Sequence, residues 1–241
     1  MQVVDLEELK RKGALWQGRR GRLTGDLLLP SGWHVLDELL GGGWPRAVLS
    51  EVLSDAHLGL SLVLPLLAGL SRDARWLTWV TPPYLPYAPA LAARGVRVER
   101  LLLVQQVSAG QALWATEQAL KSGACSLVLA WPEPQGAKPL DTAQLRRLQL
   151  AAEQGDCTGV LFRSSRVAQQ GSPAALRLRV RSVPLGLDVE VLKRRGGWGG
   201  TRCIVPVETG GPPARGERTG PSGTDRDVQS PVWQTRPRDR A

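Results

Sequence analysis

A chain of 241 residues, 42% of them hydrophobic, is long enough for one large α/β domain with a substantial core. Its formal charge of +9 favours polyanions or acidic protein surfaces as partners without separating the two. The three widely spaced cysteines, Cys125, Cys157 and Cys203, suggest neither a disulfide framework nor a zinc site, and no stretch approaches the roughly 20 apolar residues that cross a bilayer. The opening MQVVDLEELKRKG lacks the apolar core of a signal peptide, so a cytoplasmic location is expected, with no membrane partner.

In chain order, VVDLEELKRKGALW spaces Leu6, Leu9 and Trp16 on one narrow helical face and so predicts a short arm that could dock on a partner or a second copy. Lys10 to Arg22 then carries six basic side chains and no acid, which sets residues 1–22 apart as an arm with a basic linker. SGWHVLDELLGGGWPR reads as a helical turn stopped by three glycines and a proline. From Val48 the chain alternates. Strands are expected at 48–53, 75–81, 100–105, 125–131 and 158–164, and helices at 60–70, 88–95, 109–122 and 142–155.

Continuous apolar strands separated by helices predict an α/β fold whose mostly parallel sheet is covered on both faces. Beyond residue 173, LRLRVRSV and LDVEVLKR alternate apolar and charged side chains, so half-exposed strands forming an antiparallel extension are expected there. The core is then 23–208. Residues 209–241, rich in Gly, Pro and charge, predict a disordered tail.

SDAHLGLS, Ser54 to Ser61, sits between an expected strand and an expected helix, the place and length of a G-x-x-x-x-G-K-[ST] phosphate-binding loop. Ser54 takes the first glycine position, Gly59 keeps the second, Leu60 replaces the lysine and Ser61 keeps the hydroxyl. Without the ammonium group, backbone N–H groups alone would face the charge of a triphosphate, and Asp55 adds another negative charge. A phosphate loop in position only is expected.

The flanking blocks LGGGWPR, PPYLPYAPAL, ALWATEQALKSGAC, LRRLQLAAE and SPAALRLR resemble, in order and spacing, the ImuA/SulA branch of the RecA-like proteins. The likeness to ImuA runs from about residue 10 to residue 207, and Ala47 departs from it where a glycine would follow GGGWPR. It implies a RecA-like core. The water-orienting glutamate of such ATPases would fall near Pro83, and the aspartate that holds magnesium would fall on Trp131. With these supports and the lysine missing, no enzyme activity, no nucleotide cofactor and no metal are expected.

Arg177, Arg179 and Arg181 alternate with apolar residues, so a strand would align three guanidinium groups on one face. Together with Arg163, Arg166, Lys193, Arg194 and Arg195 they form the candidate surface for DNA phosphates or an acidic partner, weighed equally against a solvated strand face. Among the nine tryptophans most are expected in the core, whereas Trp33, Trp44, Trp131, Tyr84 and Tyr87 fall at expected loops and strand ends, where an exposed ring could anchor a partner protein or, second to that, stack on a base. His34 and His57 show no catalytic arrangement.

The ImuA likeness implies a binding protein of damage-induced translesion DNA synthesis, with RecA, an ImuB-like polymerase homologue and an error-prone DNA polymerase as partners. The alternatives are a SulA-like inhibitor that binds the tubulin-like division protein, and an ATP-dependent DNA recombinase that would need a lysine to replace Leu60.

Overall fold

A computed structural model describes residues 28–55, 58–105, 107–133, 138–197 and 199–207. All of them belong to the unit Met1–Glu208. The expected arm with Leu6, Leu9 and Trp16, the basic linker, His57 and the tail from 209 lie outside the described residues.

Two short strands, β1 (Leu28–Leu29) and β2 (Trp44–Pro45), pair antiparallel on either side of helix α1 (His34–Leu40) in the sequence. The helix ends at Gly41, whose left-handed backbone, φ 71°, donates its N–H to the Glu38 carbonyl. The main sheet contains β3 (Leu49–Leu53), β4 (Trp76–Val80), β5 (Leu101–Val104), β6 (Cys125–Ala130), β7 (Thr158–Arg163), β8 (Leu176–Val183), β9 (Gly186–Arg194) and β10 (Arg202–Val205). Their order is β10-β9-β8-β3-β7-β6-β4-β5. The helices are α2 (Leu60–Leu70), α3 (Ala88–Ala93), α4 (Ala109–Lys121) and α5 (Thr142–Gln154).

Alternation along the central strands feeds two cores. Val52, Leu77, Trp79, Leu129, Val160 and Phe162 face the cluster that contains Leu36 of α1, Leu62 and Leu66 of α2 and Leu91 of α3. Leu49, Val80, Val128, Ala130 and Leu161 face the cluster that contains Leu120 of α4 and Leu145 and Leu148 of α5. A strand buried on both sides needs an unbroken apolar run, which is why these segments show no polar alternation.

Local signals set the helix starts. Ser108 with Gln111 caps α4 and Asp141 with Gln144 caps α5, each as a reciprocal pair in which the side chain accepts from the third residue's backbone N–H. Helix α2 starts differently, on Gly59 at φ 104°, where a Cβ would lie 2.5 Å from Cγ1 of Val52. Only glycine brings the chain that close to β3 in that conformation. Ala47 sits at φ 55°, so the position that departs from the glycine of the resembling sequences is one whose backbone favours glycine.

The expected antiparallel extension is corrected in one respect: β8 runs parallel to β3, and only β9 and β10 are antiparallel additions. Nor is β8 half exposed along its length, because Leu176 to Arg179 lie buried or half-buried and only its far half opens to solvent. The cause is Glu51, a fully buried carboxylate in the middle of β3. Arg177, opposite it in register, donates Nε–H to Glu51 Oε2, and Arg163 of β7 donates Nη1–H to Glu51 Oε1 at 2.9 Å. Arg163 also grips Glu133 through Nε and Nη2, at 2.9 and 2.6 Å. The Ser172 hydroxyl completes the acceptor set of Glu51 at 3.0 Å.

The remaining guanidinium contacts go to backbone carbonyls and one side-chain amide. Arg177 reaches the carbonyls of Val167, Ala168 and Gln170, and Arg163 reaches the Leu140 carbonyl and the Gln170 side chain. Each guanidinium nitrogen of the two arginines therefore meets an acceptor, the condition under which buried charge is tolerated. Removing one member leaves a bare charge in the sheet. Glu51→Gln is expected to destabilise the fold by about 3–5 kcal/mol, read by chemical denaturation, whereas Arg166→Ala at the exposed neighbouring turn should stay within about 0.5 kcal/mol.

Candidate functional site

The parallel strands β3, β4, β6 and β7 end on one edge, where a sheet of this kind offers a crevice to ligands. The loop after β3 holds Ser54 and Asp55, and α2 opens with Leu60 and Ser61. Ser54 donates its backbone N–H to the Arg163 carbonyl at 2.9 Å, and its hydroxyl accepts from Leu58 N at 3.3 Å. Asp55 turns away from any incoming anion and binds the chain after β7. Its Oδ1 accepts from the Ser165 backbone N–H at 3.1 Å and the Ser164 hydroxyl at 3.2 Å, and its Oδ2 accepts from the Ser165 hydroxyl. The Ser165 hydroxyl bond, helped by that of Ser164 and by the charge of Arg166, holds its carboxyl below the usual aspartate range.

Leu60 packs against the core cluster on the α2 face of the sheet. Its side chain lines a groove of about 260 Å³ together with Leu64, Trp79, Pro83, Tyr87 and Trp131. Trp131, where the RecA-like resemblance put the magnesium ligand, is only 7% exposed and lies flat on Phe162, with ring centroids 4.4 Å apart and planes 7° apart. Trp79 leans on Trp131 at 5.9 Å. Packed aromatic rings thus stand where a phosphate-binding site would need a metal ligand. The residues do not fit a nucleoside triphosphate with its magnesium: Leu60 stands in the lysine's place, and the Asp55 carboxylate lies in the loop. Among the described residues no group of three or more His, Cys, Asp or Glu could hold a metal ion.

The loop after β4 is the opposite case, apolar and open. Thr81 takes a left-handed backbone, φ 49°, fixed by its N–H to the Val104 carbonyl at 2.8 Å and its hydroxyl to the Trp131 carbonyl at 2.7 Å. Pro82, Pro83 and Pro86 then stiffen the segment that ends at Tyr87. Tyr84, Leu85 and Tyr87 are 71–75% exposed, a cluster of large apolar groups beside the groove. Of the other rings expected to be accessible, Trp44 and Trp131 are buried and Trp33 is half-buried, so the anchoring role expected of an exposed ring is corrected for Trp44 and Trp131. Trp114 on α4 is exposed instead.

The basic residues do not form one surface. Arg163 and Arg177 are buried in the Glu51 cluster and cannot meet a phosphate backbone, which corrects their expected role. Arg179 pairs with Glu190 through Nη2, and Arg202 reaches the same carboxylate at 3.0 Å. Partial burial raises the Glu190 carboxyl, but the hydrogen bond and charge of Arg179, helped by Arg202, outweigh it and leave the group below its usual range. Arg181 stands 3.9 Å from Asp188. Lys193 donates to the Ser172 carbonyl at 2.6 Å; burial, with repulsion from Arg177 and Arg195, lowers its ammonium below the ordinary lysine range. Arg194 donates to the Leu39 carbonyl at 3.1 Å, Arg195 faces Glu153 at 3.6 Å, and Arg166 is exposed. Sequence periodicity aligned the arginines correctly but could not show the carboxylates that neutralise them.

His34 is exposed, 3.7 Å from Glu38, with no nucleophile beside it. No helix among the described residues is long and apolar enough to cross a membrane. A lysine introduced by Leu60→Lys is expected to leave ATP unbound at millimolar concentration in titration calorimetry, because the packed ring of Trp131 offers no ligand to a magnesium ion; micromolar binding by that variant would contradict the assignment.

Residues 48–159 match the family model described as "Cell division inhibitor SulA". SulA of Edwardsiella piscicida is 39% identical over 117 residues, 48% of this chain and 64% of the relative, a little under two thirds of its length. SulA of Photorhabdus laumondii is 33% identical over 125 residues, 51% of this chain and 68% of the relative, and SulA of Yersinia pestis is 33% identical over 122 residues, 50% and 69%. The crystal structure of SulA from Pseudomonas aeruginosa, 33% identical, is matched over all of its chain and 50% of this one with a TM-score of 0.41. These findings overturn the expectation of a translesion-synthesis accessory protein with RecA, an ImuB-like homologue and an error-prone polymerase as partners, since the family and relatives found are division inhibitors. On 33% identity over more than two thirds of the Photorhabdus and Yersinia proteins, the chain belongs to the SulA family.

Proposed function

We propose that this protein inhibits cell division by binding the tubulin-like division protein, as part of the response to DNA damage. The carrying observation is the SulA family match, which spans the strands and loops that build the groove, from β3 to the start of β7. A binding role also suits the chemistry of the edge, where the groove is apolar and the adjoining loop exposes Leu85 and Tyr87. Exposed aromatic and aliphatic side chains on a proline-stiffened loop lose little conformational entropy when a partner covers them. In this reading the core descends from a RecA-like one. The expected RecA-like placement of SDAHLGLS is supported by the loop's position after the central strand β3, while Leu60 and Trp131 have turned the former phosphate site into part of a protein-binding surface.

Expression of the intact chain in a rod-shaped bacterium is expected to produce filaments and to deplete polymer of the division protein in sedimentation assays. The double replacement Leu85→Ala and Tyr87→Ala removes exposed groups only, so stability should change by less than about 1 kcal/mol. Filamentation should nevertheless be lost. Normal division during high expression of the unaltered chain would overturn the proposal.

A further inference from the structure

The 260 Å³ groove is one lobe of a larger feature. A second hollow of about 360 Å³ lies against Trp33, Ser61, Pro65 and Val207, and the two share Leu64 and Arg94. Leu64 lies on α2 and Arg94 directly follows α3, so the junction of the lobes is formed between these two helices. The walls are unusual in charge. Residues 58–70 contain no ionisable side chain, and residues 82–94 contain only Arg94 besides the two tyrosines. Among the described residues no carboxylate lines either lobe.

Arg94 is exposed, and its guanidinium makes one long hydrogen bond, Nη1 to the Ala90 carbonyl at 3.4 Å. Among the described residues no acidic side chain pairs with it, although most of the other arginines near the sheet, including Arg46, Arg75, Arg163, Arg177, Arg179 and Arg202, have such partners. An arginine presents five donors in a planar fork that matches a carboxylate in two-point fashion. Set between two apolar hollows, it selects an occupant that offers both kinds of group.

We propose that the joined groove receives a short segment of the partner protein in which large apolar side chains flank a carboxylate, the apolar groups entering the two lobes and the carboxylate pairing with Arg94. The proposal rests on the reading of the protein as a division inhibitor and adds the chemistry by which the partner is gripped. One end of the segment would run out over Leu85 and Tyr87, which line the 260 Å³ lobe and whose exposure continues its apolar surface. Charge complementarity commits the groove to an acidic occupant; a basic or neutral segment would leave Arg94 unpaired in an interface, at a cost in affinity.

The experiment uses the full chain, the purified tubulin-like division protein, and two labelled short peptides with leucine and phenylalanine flanking either aspartate or lysine. Arg94→Glu should weaken binding of the division protein by about tenfold or more, Arg94→Lys should retain most of it, and Leu64→Asp should abolish it. Arg94 is exposed and makes no ion pair among the described residues, so circular dichroism of Arg94→Glu should match the parent. The parent should prefer the aspartate peptide, and Arg94→Glu should reverse that preference. If the division protein binds the parent and Arg94→Glu equally, the groove proposal is overturned while the inhibitor reading stands. If the parent does not bind the division protein at all, the inhibitor reading falls, and the peptide preference alone decides the groove: a reversal on charge exchange supports it, and equal binding of both peptides overturns it.

Discussion

Glu51 is the constraint around which the sheet edge is organised. A carboxylate with no solvent exposure in the middle of β3 has to be neutralised, and two arginines from the flanking strands do so. Neutralising it also fixes chain segments that carry no core of their own. Arg163 ties Glu133 after β6 to the central strand, and Arg177 gathers the carbonyls after β7. Such a cluster contributes to a unique arrangement of loops more than to net stability, since a well-packed apolar replacement could match its energy. The loops it fixes, together with the bond from Asp55 to Ser165, close the edge on the α5 side of the sheet.

With that side occupied by charge, the other side of the same edge is free to be apolar. Trp79, Trp131 and Phe162 form a continuous aromatic layer under α2, and Leu60 packs against the same cluster. The chemical consequence is a surface suited to side chains. Gly59 brings α2 close to β3, Thr81 in its left-handed conformation redirects the chain after β4, and three prolines hold the exposed loop in place. Each of these local costs is offset by tertiary contacts, a pattern associated with binding sites.

Much of the architecture was legible in the chain. Apolar runs marked the parallel strands to within one or two residues, and the helices expected from 109 and 142 begin there, each behind a reciprocal cap that is a local interaction. What escaped was non-local. LRLRVRSV looks like a half-exposed strand unless Glu51, more than a hundred residues away, is known to lie opposite Arg177. The same blindness made a phosphate-facing surface out of arginines already paired with Glu190 and Asp188. β1, β2 and β10 are too short to show a period. At the site, Leu60 and Trp131 stood out in the sequence as departures from a nucleotide-binding pattern, but the groove they line became visible only once Pro82 to Tyr87 was placed beside them. The choice between two related families turned on blocks outside the shared core, and the comparisons decided it the other way.

The central claim is that the apolar edge formed by α2, the loop after β4 and Arg94 is the surface that meets the partner. Hydrogen–deuterium exchange of the full chain, alone and with the tubulin-like division protein, tests this most directly. The account predicts slowed exchange concentrated in residues 58–64 and 82–95. Protection confined to the opposite face, on α4 and α5 around the exposed Trp114 and Leu150, would contradict it.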